Sequence, residues 1–191
     1  MGPRHVFWAT CVEGAELLLA QELRQQQADI EQVYTAHVSF KAEAETLQNI
    51  LLSCRIANRF FVEIADGPWR DTEGTAEWVR NLPWHEHCAH VDRMKVDISY
   101  EPSCEIHQEN LLDAGHIAQK VSQALGTRIT RAHYQGVRTI GRLVFFCCDD
   151  STHVLFELAS ERLAAEHQQD APGATAAAIL AWMGFPAHAS T

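Results

Sequence analysis

Two stretches of the chain concentrate side chains able to do chemistry. The first is Trp84-His85-Glu86-His87-Cys88-Ala89-His90, with Cys104 and His107 further on. Imidazole and thiolate suit zinc, and His85, His87, Cys88 and His90 would be the ligands of a metal-dependent enzyme. The spacing matches neither HExxH nor a CxxC knuckle, so a polar loop ahead of a strand is the expectation and no metal site is assigned. The second stretch runs from Ala114 to Cys148. It holds no Asp or Glu, while Lys120, Arg128, Arg131, Arg138 and Arg142 give it a local charge of +5. Guanidinium forks suit phosphate oxygens, and His133 and Tyr134 among them can stack on unpaired bases, so the pattern fits an RNA contact strip. A solvated loop whose arginines pair with acids elsewhere in the fold accounts for the same residues, and the sequence leaves both readings open.

Other catalytic patterns are missing from the sequence. Glu13 and Glu16, or Asp149 and Asp150, stand where a helix start and a hairpin turn favour acids. Ser103, Ser122 and Ser151 lie in no G-x-S-x-G elbow, and there is neither a G-x-G-x-x-G nor a Walker loop. The six cysteines, Cys11, Cys54, Cys88, Cys104, Cys147 and Cys148, form no CxxC pair in a chain too long to need staples. Reduced thiols are expected. Adjacent Cys147 and Cys148 should place one thiol in the core and one outside, because neighbouring strand residues face opposite ways.

The elements that must position these residues follow from hydrophobic periodicity. The 191 residues suit one large domain or two small ones, and 47% hydrophobic with 21% charged residues is a globular composition. The net charge of −10 is uneven: residues 1–113 carry 9 Lys/Arg against 19 Asp/Glu, and residues 149–191 return to −5. No apolar run reaches the roughly 18 residues that cross a bilayer, and no secretory or transit peptide is evident, so a cytoplasmic location without membrane association is expected. Val6 to Cys11 reads as a buried strand, and after Gly14 a helix presents Ala15, Leu18, Leu19 and Leu23 on one face. Ile30 to Tyr34 and His37 to Phe40 read as strands joined by Thr35-Ala36, a poor hairpin turn. A helix with Leu47, Ile50, Leu51 and Cys54, then an apolar strand from Arg59 to Ile64, complete the order β-α-β-β-α-β of a ferredoxin-like fold.

Asp66-Gly67-Pro68 is a turn signal that marks the first domain boundary. Beyond it come a helix over 72–81 stopped by Pro83, a strand over 91–100, and a helix over 110–125 with Ile117, Val121, Ala124 and Leu125 on one face and Gly126 after it. Leu143 to Cys148, a turn at 149–152 and His153 to Leu158 form a hairpin. Ala174 to Met183 reads as a short apolar-faced helix, marginal without a packing partner.

The ordered segments resemble the N-terminal ferredoxin-like plus THUMP region of the bacterial 23S rRNA (guanine-N2) methyltransferases. Phe7-Trp8-Ala9-Thr10, Gly14-Ala15-Glu16-Leu17-Leu18-Leu19 and Gln21-Glu22-Leu23 are similar to that family's F-A-T strand, G-x-E-x-L-L and E-L. Val38-Ser39-Phe40 resembles its V-x-F strand, Ser53-Cys54-Arg55-Ile56-Ala57-Asn58-Arg59 its S-R-x-A-x-R, and Leu82-Pro83-Trp84 with Glu86 its I-x-W-x-E. Arg142-Leu143-Val144-Phe145 and the following hairpin resemble the strand pair before its L-H-x-R-G-Y-R segment, where this chain reads Leu163-Ala164-Ala165-Glu166-His167 without the arginines. His116-Ile117-Ala118-Gln119-Lys120-Val121 stands for its K-V-K-D-A-I, and residues 171–179 resemble its A-P-x-K-E-T-L-A-A-A-I linker without the Lys and Glu.

The resemblance implies an α+β architecture: a ferredoxin-like N-terminal domain over 1–66, a THUMP-like domain over 67–165, and a tail over 166–191 that leads toward a methyltransferase domain. It implies a module that positions structured RNA, rRNA or tRNA, for modification. The catalytic S-adenosylmethionine-dependent domain lies beyond the segments matched, so this chain is expected to hold no catalytic centre and no cofactor of its own. The expected RNA contacts are Arg128, Arg131, Arg138 and Arg142 for phosphates, His133 and Tyr134 for stacking, and Lys120, Arg55 and Arg59 in support. The alternative is a divergent interaction or assembly module that has lost RNA binding, motivated by the lost basic positions and the net acidity.

Overall fold

Strands with alternating apolar residues pair into mostly antiparallel sheet, and amphipathic helices cover it. A computed structural model describes residues 5–84, 93–104, 111–124, 140–148 and 151–160. The elements in chain order are β1 (His5–Thr10), α1 (Glu16–Gln25), β2 (Asp29–Tyr34), β3 (His37–Ala42), α2 (Ala44–Ser53), β4 (Arg59–Pro68), α3 (Thr72–Arg80), β5 (Arg93–Tyr100), α4 (Ala114–Ala124), β6 (Ile140–Cys148) and β7 (Ser151–Ser160). The chain divides into two compact units, Met1–Glu63 with Glu157–Thr191, and Ile64–Phe156. The architecture is mixed α+β, as expected.

In the first unit the strand order is β2-β3-β1-β4, the ferredoxin-like arrangement. β1 lies antiparallel to both neighbours, with Trp8 opposite Ser39 of β3 and Phe61 of β4. Phe7, Ala9, Val38, Phe40, Phe60 and Val62 alternate along their strands onto one face, and all are buried. Leu19, Ala20 and Leu23 of α1 and Leu47 and Ile50 of α2 supply the buried apolar side of the helices. Leu18, expected on the inner face, is instead 59% exposed. Within the run Leu17-Leu18-Leu19, the helix turns Leu19 inward and leaves its two predecessors outside.

The unfavourable Thr35-Ala36 turn forms because other groups hold it. Ala36 sits at φ 59°, a left-handed conformation that costs a Cβ-bearing residue about 1–2 kcal/mol. Its N–H donates to the Glu16 carboxylate at 2.8 Å and its carbonyl accepts from Cys11 N–H at 2.9 Å. Glu16 also accepts from Gly14 N–H at 2.9 Å, and Gly14 itself lies at φ 90°. One carboxylate thus ties the β1–α1 connection to the β2–β3 hairpin.

In the second unit the order is β7-β6-β5, with β6 antiparallel to β7 and parallel to β5. α3 is capped by Asp71, whose carboxylate accepts from Gly74 N–H at 2.7 Å, and it buries Thr75, Ala76 and Val79. Trp84, buried just after α3, donates its indole N–H to the Val79 carbonyl at 2.7 Å. α4 buries Ile117 and Val121, as its spacing predicts, but starts only at Ala114, where Asp113 accepts from Gly115 and His116 N–H.

Two local expectations are corrected. β4 runs through Asp66-Gly67-Pro68 instead of turning there, because Gly67 faces the Trp78 ring, which would lie 2.9 Å from any Cβ at that position. Cys147 and Cys148 are both buried, since β6 is flanked by β5 and β7 and covered on both faces. Burial pushes the Cys147 thiol up to about 12, so it is fully protonated at neutral pH.

Candidate nucleic-acid interface

The expected RNA contacts Arg128, Arg131, His133, Tyr134 and Arg138 lie outside the described residues, as do His85, Glu86, His87, Cys88, His90 and His107 of the metal-like cluster. Among the described residues no group of His, Cys, Asp and Glu is arranged to hold a metal ion. No helix among them is long and apolar enough to cross a membrane.

Lys120, Arg59 and Arg142 each meet an acid. Arg142 sits on β6 opposite Lys95 of β5, and its Nε donates to the Asp97 carboxylate, which also lies 3.3 Å from Lys95 Nζ. Because Lys95 and Asp97 are two residues apart on one strand, the three side chains share a face of the sheet. This face stands where the chain enters β6 from the basic segment. Lys120 Nζ on α4 is 3.7 Å from Glu73 on α3, whose carboxylate also lies 3.0 Å from His116 Nε2. In the first unit, Arg59 is 3.8 Å from Glu157.

These pairs are partly exposed, and such pairs contribute only about 0–1 kcal/mol. Displacing one by a phosphate therefore costs at most a factor of about five in affinity. Arg55 is different. Its guanidinium is exposed and pairs with no acid among the described residues, while its backbone N–H is held by Glu22.

The Glu22 carboxylate organises the connection between α2 and β4. It accepts from Arg55 N–H at 3.0 Å, Ile56 N–H at 3.2 Å and the Cys54 thiol at 3.0 Å. Burial and this acceptor together push the Cys54 thiol up to about 11. Hydrogen bonds from Ala36 and Gly14 hold the Glu16 carboxyl below the usual range. The acids of the G-x-E and Q-E-L segments are therefore fold latches.

Sequence reasoning missed an aromatic and guanidinium cluster in the second unit. The Arg70 guanidinium lies 5.4 Å above the Trp78 ring, and half-buried Trp69 stacks on Tyr100 with centroids 5.6 Å apart. Arg80, Lys95, Lys120 and Arg142 of this unit all have carboxylate partners, whereas Arg70 has none among the described residues. Trp78 lies eight positions beyond Arg70, and only the turn into α3 brings them together. The abundance of Trp in the sequence was the available signal.

Residues 6–61 match the family model of the RlmL ferredoxin-like domain. The protein named ribosomal RNA large subunit methyltransferase K/L from Syntrophotalea carbinolica is 35% identical over 91 residues, covering 48% of this chain and 13% of that protein. Its counterpart from Marinobacter nauticus is 33% identical over 84 residues, covering 44% of this chain and 12% of the relative. The chain thus matches only a small fraction of the length of these curated relatives. A solved structure described as a predicted N6-adenine-specific DNA methylase from Listeria monocytogenes superposes with TM-score 0.64 at 16% identity, over 94% of this chain and 48% of that one. TrmN from Thermus thermophilus gives TM-score 0.56 at 16% identity, over 92% of this chain and 53% of that one. At these identities the structural likeness establishes the fold.

Proposed function

We propose that this chain, with an RlmL ferredoxin-like domain at residues 6–61, is a non-catalytic module that positions structured RNA for modification. The observation that carries this reading is the family match, joined to relatives that are rRNA methyltransferases by name. On this reading the second unit is a THUMP-like platform. Arg128, Arg131, Arg138 and Arg142 hold phosphates, Lys95 lies beside Arg142 as a further cation, and His133 and Tyr134 stack on unpaired bases. Arg55, Arg59 and Lys120 add supporting charge. The RNA is ribosomal, with tRNA the second choice, and the S-adenosylmethionine chemistry belongs to a methyltransferase domain or subunit elsewhere.

The test is a titration of the chain against a fluorescent structured RNA with a single-stranded 3′ end at several salt concentrations. Saturable binding whose log K falls with log salt by several units is expected, each Arg→Ala change lowering the slope by about one. Unchanged affinity in the Arg128, Arg131, Arg138 and Arg142 quadruple Ala variant overturns the residue assignment. No binding even at low salt overturns the function.

A second reading is favoured by the ion pairs of Arg142 with Asp97, Lys120 with Glu73 and Arg59 with Glu157. Cations already neutralised within the fold suit a module that binds protein. That reading expects a stable oligomer or partner complex and no RNA retention, so a monomer that shifts RNA at moderate salt refutes it.

A further inference from the structure

Among the described residues of the second unit, Arg80, Lys95, Lys120 and Arg142 each meet a carboxylate, whereas Arg70 lies on an aromatic ring. Three contacts fix its position. The Arg70 carbonyl accepts from the buried Thr75 hydroxyl at 3.2 Å. Its stem lies across Gly74 in the first turn of α3, where a Cβ would come within 3.1 Å of Arg70 Cβ and 3.3 Å of Arg70 Cδ. One turn further along the helix, Trp78 receives the guanidinium 5.4 Å from its ring centroid and itself rests against Gly67 of β4. The preceding residue has a similar arrangement. Trp69 stacks on Tyr100 with 27° between the ring planes, and the Tyr100 hydroxyl is held by Leu112 N–H at 2.8 Å. Trp69, Arg70 and Trp78 are all half-buried, so each keeps surface in water.

We infer that Trp69, backed by Tyr100, and Arg70, backed by Trp78, form a platform on which an unpaired base of the RNA stacks. On the RNA-positioning reading, on which this platform depends, it adds a base contact outside the basic segment. An indole and a guanidinium plane are side-chain surfaces on which unpaired RNA bases stack, and here they stand at consecutive positions where β4 hands over to α3. A planar guanidinium that lies over an indole through one side keeps its opposite side and its N–H donors for a second flat group. The ligand is a base and not a phosphate because of the charge around it. Asp71 already caps the start of α3 and Glu73 follows in its first turn, so a phosphate there meets two acids while a neutral ring does not.

The test titrates the full chain against a fluorescent RNA hairpin with a single-stranded 3′ end, and against the same RNA with abasic sites along that end. Arg70→Lys keeps the charge and loses the plane, so it should bind the intact RNA about fivefold more weakly with an unchanged salt slope. Trp69→Leu should bind it about tenfold more weakly. On the abasic RNA, wild type and both variants should bind alike. Wild-type affinity for the intact RNA in both variants overturns the platform and leaves the RNA-positioning reading standing, whereas a wild-type chain that binds neither RNA overturns both. A loss of equal size on intact and abasic RNA also overturns the platform, because it then comes from the fold or from charge. Should Trp69→Leu lose its thermal unfolding transition, the variant has unfolded and Arg70→Lys decides.

Discussion

Replacing Glu22 tests whether one acid fixes the α2–β4 connection. Its carboxylate receives three donors, of which the Arg55 N–H is exposed and readily rehydrated, while the Ile56 N–H and the Cys54 thiol are partly buried. A hydrogen bond to a charged group contributes about 1.5–3 kcal/mol, and a thiol is a weak donor, so Glu22→Ala should destabilise the fold by about 2 kcal/mol. For a chain of this length that is a fall in Tm of about 4–8 °C by calorimetry. Glu22→Gln keeps the shape but turns an NH2 toward the donors and should cost roughly half as much. An independent readout sits next to the acid. With Cys54 pushed up to about 11, only about one thiol in ten thousand is ionised at pH 7. Removing Glu22 takes away the second cause of that shift and leaves burial, so the iodoacetamide rate at Cys54 should rise several-fold. A Glu22→Ala protein with wild-type Tm and unchanged Cys54 reactivity would refute the latch.

Three further outcomes follow from the geometry. Asp97→Asn removes the acid shared by Arg142 and Lys95 and should tighten RNA binding by up to about fivefold at low salt, read by fluorescence titration; weaker binding would contradict the phosphate role of Arg142. Ala36→Gly relieves the left-handed strain at φ 59° and should raise Tm by about 1–4 °C after the entropy lost by glycine is set against it, and a lower Tm would show that the turn is unstrained. Glu16 is held below its ordinary value of 4.5 by the Ala36 and Gly14 amides, so its contribution is complete above 4.5 and disappears as pH falls through the depressed folded value. The urea midpoints of wild type and Glu16→Gln should therefore converge in acid, and a gap that stays constant with pH would remove Glu16 from the account.

The first unit was legible because its apolar positions alternate or recur at helical spacing with little ambiguity. What escaped was set by contacts distant in sequence. Periodicity cannot decide between Leu17, Leu18 and Leu19 for the inner face of α1, since three consecutive leucines satisfy several phases of the helix. The Asp66-Gly67-Pro68 signal was outweighed by an indole eleven residues past Gly67 that needs the missing Cβ. Lys120 and Arg142, the described cations of the basic segment, meet Glu73 and Asp97 of other elements, and spacing along the chain cannot say which acid reaches which cation. Conversely, the acids in the resembling motifs gave no hint that their partners are backbone amides. Of the cations singled out from sequence, Arg55 meets no acid among the described residues.

The division of the chain also sets an order of events during synthesis. The first unit is discontinuous, with residues 64–156 interposed between its opening strands and the stretch beginning at Glu157. At about 5–20 residues per second a ribosome takes roughly 5–20 s to make the intervening stretch. For that interval β1 to β4 exist while Glu157 does not. Until then the four strands and two helices of the first unit stand without Glu157–Ser160 of β7, and Arg59 without the carboxylate it meets in the finished fold.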